Sequence, residues 1–491
     1  MADYHALRSA YESAGQGHVF TFFDTLPSQE QSALLSQLAG IDPLRVNEIY
    51  KLATQADTAA STSSLPSPGS SELAPPPPGS SESPTDNPAE EARWRAIGME
   101  AVSSSKVAVV LLAGGQGTRL GSSDPKGCYD IGLLSGKSLF QLQAERIKKL
   151  QLLAGEGAIV PWYIMTSGPT RKATENFFEN NEYFGLNKDN IVFFDQGVLP
   201  CLTSDGKMFL DSKSSVAVAP DGNGGIYAAL RSKSATGRSY TVLEDMHRRK
   251  ISHVYAYCVD NCLARVGDPV FLGYCIEKRA RCGTKVVKKV DPKESVGVVA
   301  LKGGKWNVIE YSEISRALSE AREADSGELV YRAANIANHL YDISFLETIH
   351  SLSSSMAYHI ARKKIPHIDL SSGIPTKPEK PNGMKLELFI FDVLPFLTPL
   401  SEHALLEVER SREFSPLKNA PGTGSDDPQT SRRDLLQLQR RWLEDAGAQL
   451  EGDVEISPLV SYNGEGLDIV KGKRIRFGMA ESRNDLEKLL I

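Results

Sequence analysis

The stretch from Val107 to Asp130 constrains the fold of this chain more than any other. It opens with an apolar run, Val-Ala-Val-Val-Leu-Leu over 107–112, in which polar and apolar residues do not alternate. Such a run is typical of a strand that is buried on both faces, as in a parallel sheet. A loop with four glycines follows, and it also carries Arg119 and Lys126. The pattern predicts a phosphate cradle at the carboxyl end of a parallel strand, where open α/β sheets bind their ligands.

Two better-known glycine loops do not fit the sequence. The dinucleotide fingerprint has the spacing G-x-G-x-x-G, whereas the glycines at 115, 117 and 121 have one residue too many between them. The run 132–138 resembles a Walker A loop, but it has three residues between its glycines instead of four, and no apolar strand precedes it. We therefore interpret Ser138 as the N-cap of a helix. An NAD-dependent dehydrogenase is disfavoured for the same reason.

Length and composition restrict the class of protein. A chain of 491 residues is expected to form two or three domains. Its net charge of −6 argues against a general nucleic-acid binder, so an anionic substrate must be held by local cations. The chain contains neither a long apolar run nor a signal sequence, and its six cysteines are sparse enough to be free thiols. We expect a cytoplasmic protein without a nucleic-acid or membrane partner, as a monomer or a weak homodimer.

Composition along the chain predicts four regions. Residues 1–56 have helical periodicity, and residues 57–88 hold eight prolines among small polar residues, which predicts a disordered insertion. A docking strip for proline-binding domains is the alternative for this insertion. Strands and helices alternate over residues 89–420, as expected for a central α/β domain, and residues 421–491 predict a small C-terminal α+β domain.

Further motifs follow the glycine loop in a fixed order. They are Asp195-Gln196-Gly-Val-Leu-Pro200, Pro220-Asp-Gly-Asn223-Gly-Gly225, Val259-Asp260-Asn261, Glu310-Tyr-Ser-Glu313, Asn335-Ile-Ala-Asn338-His339, Phe389-Ile-Phe391 and Glu413-Phe-Ser-Pro-Leu-Lys418-Asn419. Together with L-x-G-G-x-G-T-R-L-G and P-K-G, this series resembles the eukaryotic UDP-N-acetylglucosamine pyrophosphorylase family of uridylyltransferases. The resemblance implies a Rossmann-like mixed sheet of the nucleotidyltransferase (GT-A-like) type.

The resemblance also implies a reaction. UTP and N-acetylglucosamine 1-phosphate give UDP-N-acetylglucosamine and pyrophosphate, which is the last step of UDP-N-acetylglucosamine biosynthesis. The sugar phosphate attacks the α-phosphorus in line, and it is already a good nucleophile. Catalysis therefore needs no general base and consists mainly of positioning and charge neutralisation.

Four charged residues are predicted to carry this chemistry. Arg119 is expected at the β- and γ-phosphates and Lys126 at the α-phosphate, while Lys418 resembles the family's phosphate-contacting lysine. Asp260 ends an apolar strand, so we expect it at the carboxyl edge of the sheet. One carboxylate can suffice for Mg²⁺, because this ion also takes phosphate oxygens and water; Mn²⁺ is the alternative ion.

The remaining site residues divide between nucleotide and sugar. The predicted nucleotide contacts are Leu112, Ala113, Gly114, Gly115, Met165, Gln196, Pro220, Gly222 and Asn223. The predicted sugar contacts are Asn261, Gly297, Glu310, Asn335, Phe389 and Phe391. The amide of Gln196 suits the edge of uracil, and the two phenylalanines alternate as on the face of a strand. Plain core packing is the alternative for both phenylalanines.

Two alternative functions stay open at this point. One is the same chemistry on another sugar phosphate, as in a UDP-glucose pyrophosphorylase or a broad-specificity UDP-sugar pyrophosphorylase. The other is a non-catalytic nucleotide-sugar binding protein on the same fold. The presence of Arg119, Lys126 and Asp260 together argues against the second alternative.

Overall fold

The computed structural model describes residues 4–62, 73–233, 239–352, 355–356 and 358–491. The chain divides into two compact units. Unit 1 comprises Met1–Leu65, Gln196–Ala228 and Leu352–Asp392, and unit 2 comprises Pro66–Asp195, Ala229–Ser351 and Val393–Ile491. Both units are assembled from segments that are discontinuous in sequence, whereas the sequence prediction divided the chain into contiguous regions.

The elements alternate along much of the chain. The helices are α1 Tyr4–Ser13, α2 Ser28–Ala39, α3 Pro43–Thr62, α4 Pro88–Ser103, α5 Leu139–Ala154, α6 Gly168–Asn180, α7 Ile226–Ala229, α8 Val242–Arg248, α9 Pro269–Glu277, α10 Arg316–Ser319, α11 Ile343–Leu352, α12 Arg410–Glu413, α13 Pro428–Asp445 and α14 Arg483–Lys488. The strands are β1 Leu73–Ala74, β2 Ser81–Glu82, β3 Val107–Leu112, β4 Trp162–Thr166, β5 Ile191–Asp195, β6 Val198–Pro200, β7 Leu202–Thr203, β8 Leu210–Ser212, β9 Ser215–Val216, β10 Val218–Pro220, β11 His253–Cys258, β12 Cys282–Lys288, β13 Val298–Lys302, β14 Lys305–Ile309, β15 Ala333–Asp342, β16 His359–Lys363, β17 His367–Ile368, β18 Pro375–Thr376, β19 Gly383–Glu387, β20 His403–Val408, β21 Gln449–Leu450, β22 Val454–Ile456, β23 Arg474–Ile475 and β24 Gly478–Ala480. No helix among the described residues is both long and apolar enough to cross a bilayer.

Unit 2 is built on one large mixed sheet. Its main order is β2-β20-β12-β15-β11-β3-β4-β5. Outside this order, β13 pairs with β15, and β14 and β1 each pair with β13. The neighbours β11, β3, β4 and β5 run parallel, whereas β15 pairs antiparallel with both β11 and β12. Every residue of β3 is buried, which confirms the strand predicted from the apolar run. The prediction of a mixed α/β sheet is therefore confirmed.

Several helices of unit 2 begin where a polar side chain caps them. Ser138 accepts a hydrogen bond from Gln141 N at 3.2 Å, so the predicted N-cap of α5 is confirmed. Asp427 caps α13 in the same way and accepts from Thr430 N. Beyond α13, a separate hydrophobic cluster of residues between 443 and 489 surrounds the short strands β21 to β24. Burial of this cluster holds the C-terminal segment together.

Unit 1 combines helices with small sheets. Apolar side chains of α1, α2 and α3 form a cluster with residues of β7, β8 and β19. The sheet β16-β19-β7 and the pairs β10-β6, β8-β9 and β17-β18 supply its strands. The prediction of a helical N-terminal region is consistent with α1 to α3. Packing of these helices on strands more than 140 residues further along the chain was not visible in the sequence.

The disorder predicted for residues 57–88 needs correction. Helix α3 extends to Thr62, β1 pairs with β13, and β2 pairs with β20. Leu73 is buried in a hydrophobic cluster, and its carbonyl accepts a hydrogen bond from Tyr331 Oη at 3.0 Å. Composition failed here because a few apolar and backbone contacts order two short strands within a proline-rich stretch when partner strands of the sheet are available. Residues 63–72 of the predicted insertion lie outside the described residues.

Candidate active site

The carboxyl ends of three parallel strands in unit 2 bring several predicted residues together. Ala113 N donates to Met165 O at 2.8 Å, and Val259 N donates to Leu112 O at 3.2 Å. Leu112, Ala113 and Met165 therefore lie at the same sheet edge as the turn that follows β11 and carries Asp260. This is the edge at which open α/β sheets bind ligands.

The first glycine loop closes on itself above this edge. Ser167 Oγ donates to Gly114 O at 2.8 Å, and Lys126 N donates to Gly115 O at 3.2 Å. Gln116 and Pro125 form an isolated antiparallel bridge that joins the two arms of the loop. A Cβ atom added at Gly115 would meet no atom within 4 Å. The loop is thus held at its base, and Gly115 faces open space.

Lys126 contacts the predicted metal ligand. Its Nζ lies 3.3 Å from Asp260 Oδ2 and 3.1 Å from Leu417 O. The side chains of Lys126 and Asp260 keep 19% and 23% of their accessible surface. Packing holds this lysine in place, because a Cβ atom on the adjacent Gly127 would lie 2.2 Å from the Phe140 ring. An ammonium and a carboxylate are therefore fixed at the sheet edge but remain partly open to solvent.

Lys418 lies in the same neighbourhood. Its Nζ is 5.9 Å from the centroid of the Phe414 ring, and its backbone N donates to Asp426 O at 2.7 Å. Burial and the charge of Asp260 raise the pKa of the Cys258 thiol, and the charges of Lys126 and Lys418 lower it, with a net value of about 12. Both lysines thus act electrostatically on the end of β11, and the structure brings three of the four predicted charged residues together.

Arg119 is exposed in the turn Thr118–Leu120. The neighbouring Leu120 is buried in a hydrophobic cluster with residues of the following loop and helix α5, so the turn is anchored while the guanidinium stays accessible. Arg119 forms no salt bridge within the described ranges of the chain. It is available for an anionic ligand.

Three of the predicted sugar contacts lie together in unit 2. A Cβ atom on Gly297 would be 2.7 Å from Glu310 Oε1, and Asn335 N donates to Gly297 O at 2.9 Å. Asn335 Oδ1 accepts from Ala337 N at 3.0 Å, within its own loop. Gly297 therefore makes room for the carboxylate of Glu310, next to a side chain that can donate hydrogen bonds.

Asn261 differs from the other predicted sugar contacts. Its side chain is buried, and its Nδ2 donates to Glu413 O at 2.7 Å. Its Oδ1 accepts from Ser415 N at 3.0 Å and from Leu263 N at 3.2 Å. These bonds occupy both acceptor positions and one donor, so the side chain has a single N–H left for a ligand. Asn261 chiefly joins two loops.

The predicted nucleotide contacts Gln196, Pro220, Gly222 and Asn223 belong to unit 1. Gln196 is half-buried after β5, and Pro220 is exposed at the end of β10. Asn223 Oδ1 accepts from Ile390 N at 2.9 Å. Its Nδ2 and the backbone therefore remain as the groups that can contact a ligand.

The two phenylalanines do not lie on a strand, so that part of the prediction is wrong. They follow β19 in a turn, in which Phe389 N donates to Asp392 Oδ2 at 2.7 Å and Asp392 N donates to Phe389 O at 3.0 Å. The turn brings their ring centroids within 5.1 Å of each other, and the His359 ring is 4.6 Å from Phe389. An apolar surface forms, but it results from a turn that the alternating pattern concealed.

Asp221 is a residue that the sequence analysis missed. Its Oδ1 is buried and accepts no hydrogen bond from the described residues. Burial raises the pKa of this carboxyl to about 7. Its backbone N donates to Gly197 O at 3.1 Å, and its carbonyl accepts from Leu388 N at 2.8 Å. The sequence did contain a signal for this residue. Asp221 lies among glycines, which have no side chain that could donate a hydrogen bond to its carboxyl group.

The Walker-like loop has a structural role. Lys137 is buried, and its Nζ lies 2.9 Å from Glu145 Oε2 and also contacts Glu481. A buried lysine that is paired with two carboxylates is not available for a phosphate. The loop instead joins α5 to the C-terminal segment of the chain.

Comparisons with known proteins agree with this geometry. Residues 86–454 match the family model described as UTP–glucose-1-phosphate uridylyltransferase. The chain is 47% identical to the UDP-N-acetylglucosamine pyrophosphorylase of Saccharomyces cerevisiae, over 95% of this chain and 97% of the yeast protein. It is 43% identical to the human UDP-N-acetylhexosamine pyrophosphorylase-like protein 1, over 96% of this chain and 95% of that protein.

A solved structure gives the same result. The uridine diphosphate N-acetylglucosamine pyrophosphorylase of Trypanosoma brucei, in complex with an inhibitor, superposes with a TM-score of 0.82 at 32% identity. The match covers 95% of this chain and 94% of that one. The predicted family is thereby confirmed: the chain belongs to the UTP–glucose-1-phosphate uridylyltransferase family, among relatives that include UDP-N-acetylglucosamine pyrophosphorylases.

Proposed function

We propose that this protein is a UTP-dependent N-acetylglucosamine-1-phosphate uridylyltransferase, with a sheet of the GT-A-like nucleotidyltransferase type. The observation that carries the proposal is the contact of Lys126 with Asp260 at the carboxyl edge of the parallel strands, beside an open glycine loop. Nearly full-length similarity to UDP-N-acetylglucosamine pyrophosphorylases supports the choice of substrates. UDP-N-acetylglucosamine and pyrophosphate are the products. A cytoplasmic location and a monomeric or weakly dimeric state belong to the same proposal.

The reaction is a displacement at phosphorus. A phosphate oxygen of the sugar phosphate forms a bond to the α-phosphorus of UTP, and the bond from that phosphorus to the bridging oxygen breaks. Lys126 and Lys418 neutralise charge at the α-phosphate, and Arg119 stabilises the pyrophosphate that leaves. The phosphate group of the sugar phosphate is ionised at neutral pH. Its attacking oxygen is therefore anionic, and no side chain has to remove a proton from it.

A divalent ion fits the available ligands. No three His, Cys, Asp or Glu side chains converge on a metal-sized site in the described segments. Asp260 offers one partly open carboxylate, which suits Mg²⁺ or Mn²⁺ because such an ion takes its other ligands from phosphates and water. The ion would supply charge neutralisation when bound. The contacts of uridine with Gln196, Gly222 and Asn223, and of the sugar with Glu310 and Asn335, are further parts of the proposal.

Pyrophosphate release from UTP tests the proposal, with N-acetylglucosamine, N-acetylgalactosamine and glucose 1-phosphates as acceptors. We expect the first to react best, the second more slowly and the third poorly. Arg119→Ala should lower kcat on the order of 100-fold, because it removes a preorganised charge from the leaving group. Arg316→Ala, at an exposed arginine in a short helix of the same unit, is the control and should not change kcat.

Two results would change the proposal. If glucose 1-phosphate is the best acceptor, the protein is a UDP-glucose pyrophosphorylase, the activity for which the matched family is named. If Arg119→Ala reduces kcat only a few-fold, Arg119 is peripheral to the transferred group.

A further inference from the structure

A group of four buried ionic side chains lies behind the loop that carries Lys418. Lys285 on β12 is fully buried, and its Nζ is 2.5 Å from Asp268 Oδ2 and also contacts Glu413 Oε2. Arg265 Nη1 lies 3.4 Å from Glu413 Oε1. We call Arg265, Asp268, Lys285 and Glu413 the buried tetrad. Its two cations and two anions balance, as burial of charge at this depth requires.

Two members of the tetrad are held by independent elements. Lys285 projects from the central sheet, and Asp268 caps α9 by accepting from Val270 N at 3.1 Å. Burial raises the pKa of Asp268, but the charges of Lys285 and Arg265 outweigh burial and keep it below its usual value. Lys285 and Asp268 are therefore held in place by β12 and α9, and Glu413 pairs with this fixed lysine.

Glu413 begins the segment 413–418, which runs along the turn after β11. Its carbonyl accepts from Asn261 Nδ2 at 2.7 Å, and Ser415 N donates to Asn261 Oδ1 at 3.0 Å. Leu417 N then donates to Asp260 O at 2.9 Å. The segment is thus aligned residue by residue with the turn that carries the predicted metal ligand.

The far end of the segment carries Lys418 and contacts Lys126, the two lysines assigned above to the α-phosphate. Leu417 O accepts from Lys126 Nζ at 3.1 Å, and Lys418 is the next residue. A shift of the segment along the turn would therefore displace both lysines from their places at the phosphates. A displacement of about 1 Å can cost roughly 100-fold in rate when positioning is the main source of catalysis.

We infer that Glu413, held by Lys285 in the buried tetrad, is a positioning residue for uridylyl transfer: it sets the register of segment 413–418 and so places Lys418 and Lys126. This inference rests on the proposed function. The tetrad touches no substrate itself. If segment 413–418 moved along the turn, charges of the tetrad would stay buried without a partner. This cost favours a single register of the segment.

A double-mutant cycle tests the inference. Glu413→Gln keeps the shape of the side chain and removes its charge, and Lys418→Ala removes the ammonium that the segment presents. Kinetics are measured at saturating substrate, well below the melting temperature of each variant. We expect Glu413→Gln to lower kcat about 10- to 100-fold, with a smaller change in KM for UTP. In the double variant kcat should fall by less than the product of the two single effects, because both changes act through Lys418, while the part of the Glu413→Gln effect that acts through Lys126 remains.

Lys137→Met is the matched control. Lys137 is also a buried lysine of unit 2 that is paired with two carboxylates, but it belongs to the loop before α5. We expect it to lower the melting temperature while kcat stays within about twofold, and its effect to combine additively with that of Lys418→Ala.

A second variant keeps the test decisive if Glu413→Gln folds poorly. The pair Lys285→Met with Glu413→Gln removes one charge of each sign and leaves Arg265 with Asp268, so it should recover stability relative to Glu413→Gln alone. We expect kcat to stay low in this pair, because the segment has lost its ionic attachment. A return of kcat to the wild-type value would overturn the inference.

Two other outcomes would also overturn it. One is an unchanged kcat in Glu413→Gln despite a lower melting temperature, and the other is full additivity with Lys418→Ala. Amide hydrogen exchange over residues 413–418 provides a readout without turnover, and it should accelerate in Glu413→Gln but not in Lys137→Met. If wild-type protein releases no pyrophosphate with any acceptor, the proposed function fails, and exchange alone then decides whether Glu413 holds the segment.

Discussion

The two glycine-rich loops of this protein use glycine for opposite reasons. In the loop of unit 2, a Cβ atom added at Gly115 or Gly121 would meet no atom within 4 Å. In the loop of unit 1, a Cβ atom on Gly222 would lie 2.2 Å from Leu388 O, and one on Gly224 would lie 2.6 Å from Phe389 O. Gly115 and Gly121 therefore leave open space in the first loop, whereas Gly222 and Gly224 let two segments of backbone pack together in the second.

The difference shows what a glycine motif can and cannot indicate. Both loops follow a strand, and both were predicted to contact the nucleotide. Only the loop at Gly115 has room beside its glycine, while Gly224 N donates to Leu388 O at 2.9 Å and belongs to the framework of unit 1. Substitutions should accordingly damage function in one loop and folding in the other.

The largest effect is expected at Gly222. Its φ is +89°, and an alanine side chain would collide with the Leu388 carbonyl, so Gly222→Ala should destabilise the protein by about 2–5 kcal/mol. Gly157→Ala is the control, because Gly157 has a φ of +81° but no atom within 4 Å of its Cβ position. We expect that control to lose only about 1 kcal/mol, measured by urea unfolding. Equal losses would mean that backbone strain, not packing, explains the glycine of the second loop.

A smaller effect, on activity alone, is expected at Gly115. Gly115→Ala places a methyl group in open space, so the melting temperature should stay within about 1 °C of wild type. If phosphates occupy that space, kcat/KM for UTP should fall about tenfold, which corresponds to about 1.4 kcal/mol. Steady-state kinetics and thermal unfolding of the same sample check both parts. Unchanged kcat/KM would show that the phosphates do not occupy this space, and the functional role assigned to the loop at Gly115 would be wrong.

The smallest effect concerns Asp221 in the packed loop. Burial raises the pKa of its carboxyl to about 7, so between about pH 4 and 7 the folded state keeps a proton that the unfolded state has released. Its contribution to stability is fully present below the unfolded pKa and is lost as the pH rises through about 7. Asp221→Asn is neutral throughout, so its melting temperature relative to wild type should rise by about 2–5 °C between pH 5 and pH 8. A difference that does not vary with pH would show that the carboxyl titrates normally.

Local patterns predicted the elements that depend on neighbouring residues. The apolar run at 107–112 is the fully buried strand β3, and Ser138 caps a helix as its sequence context indicated. Asp260 lies at the carboxyl edge because it directly follows a strand parallel to β3. In each case burial or capping is determined within a few residues, so the sequence contains the signal.

Long-range contacts produced the errors. Phe389 and Phe391 alternate like residues of a strand, yet Ile390 N between them donates to Asn223 Oδ1, 167 residues earlier in the chain, and not to a neighbouring strand. Leu73 lies in a proline-rich stretch, yet the edge of the sheet orders it. Composition and periodicity carry no information about which distant backbone is available as a partner, so both features were misjudged.

The sequence by itself determined the family, the buried strand with its glycine-rich loop and the charged residue types, because these depend on residue identity at short spacing. Only the tertiary structure decided which glycine faces open space and which lysine is paired in the interior. It also brought Glu413 to Lys285, which lies more than 120 residues earlier in the chain. The physical reason is that burial and ion pairing are set by whatever surrounds a side chain, and most of those surroundings come from segments far away along the chain.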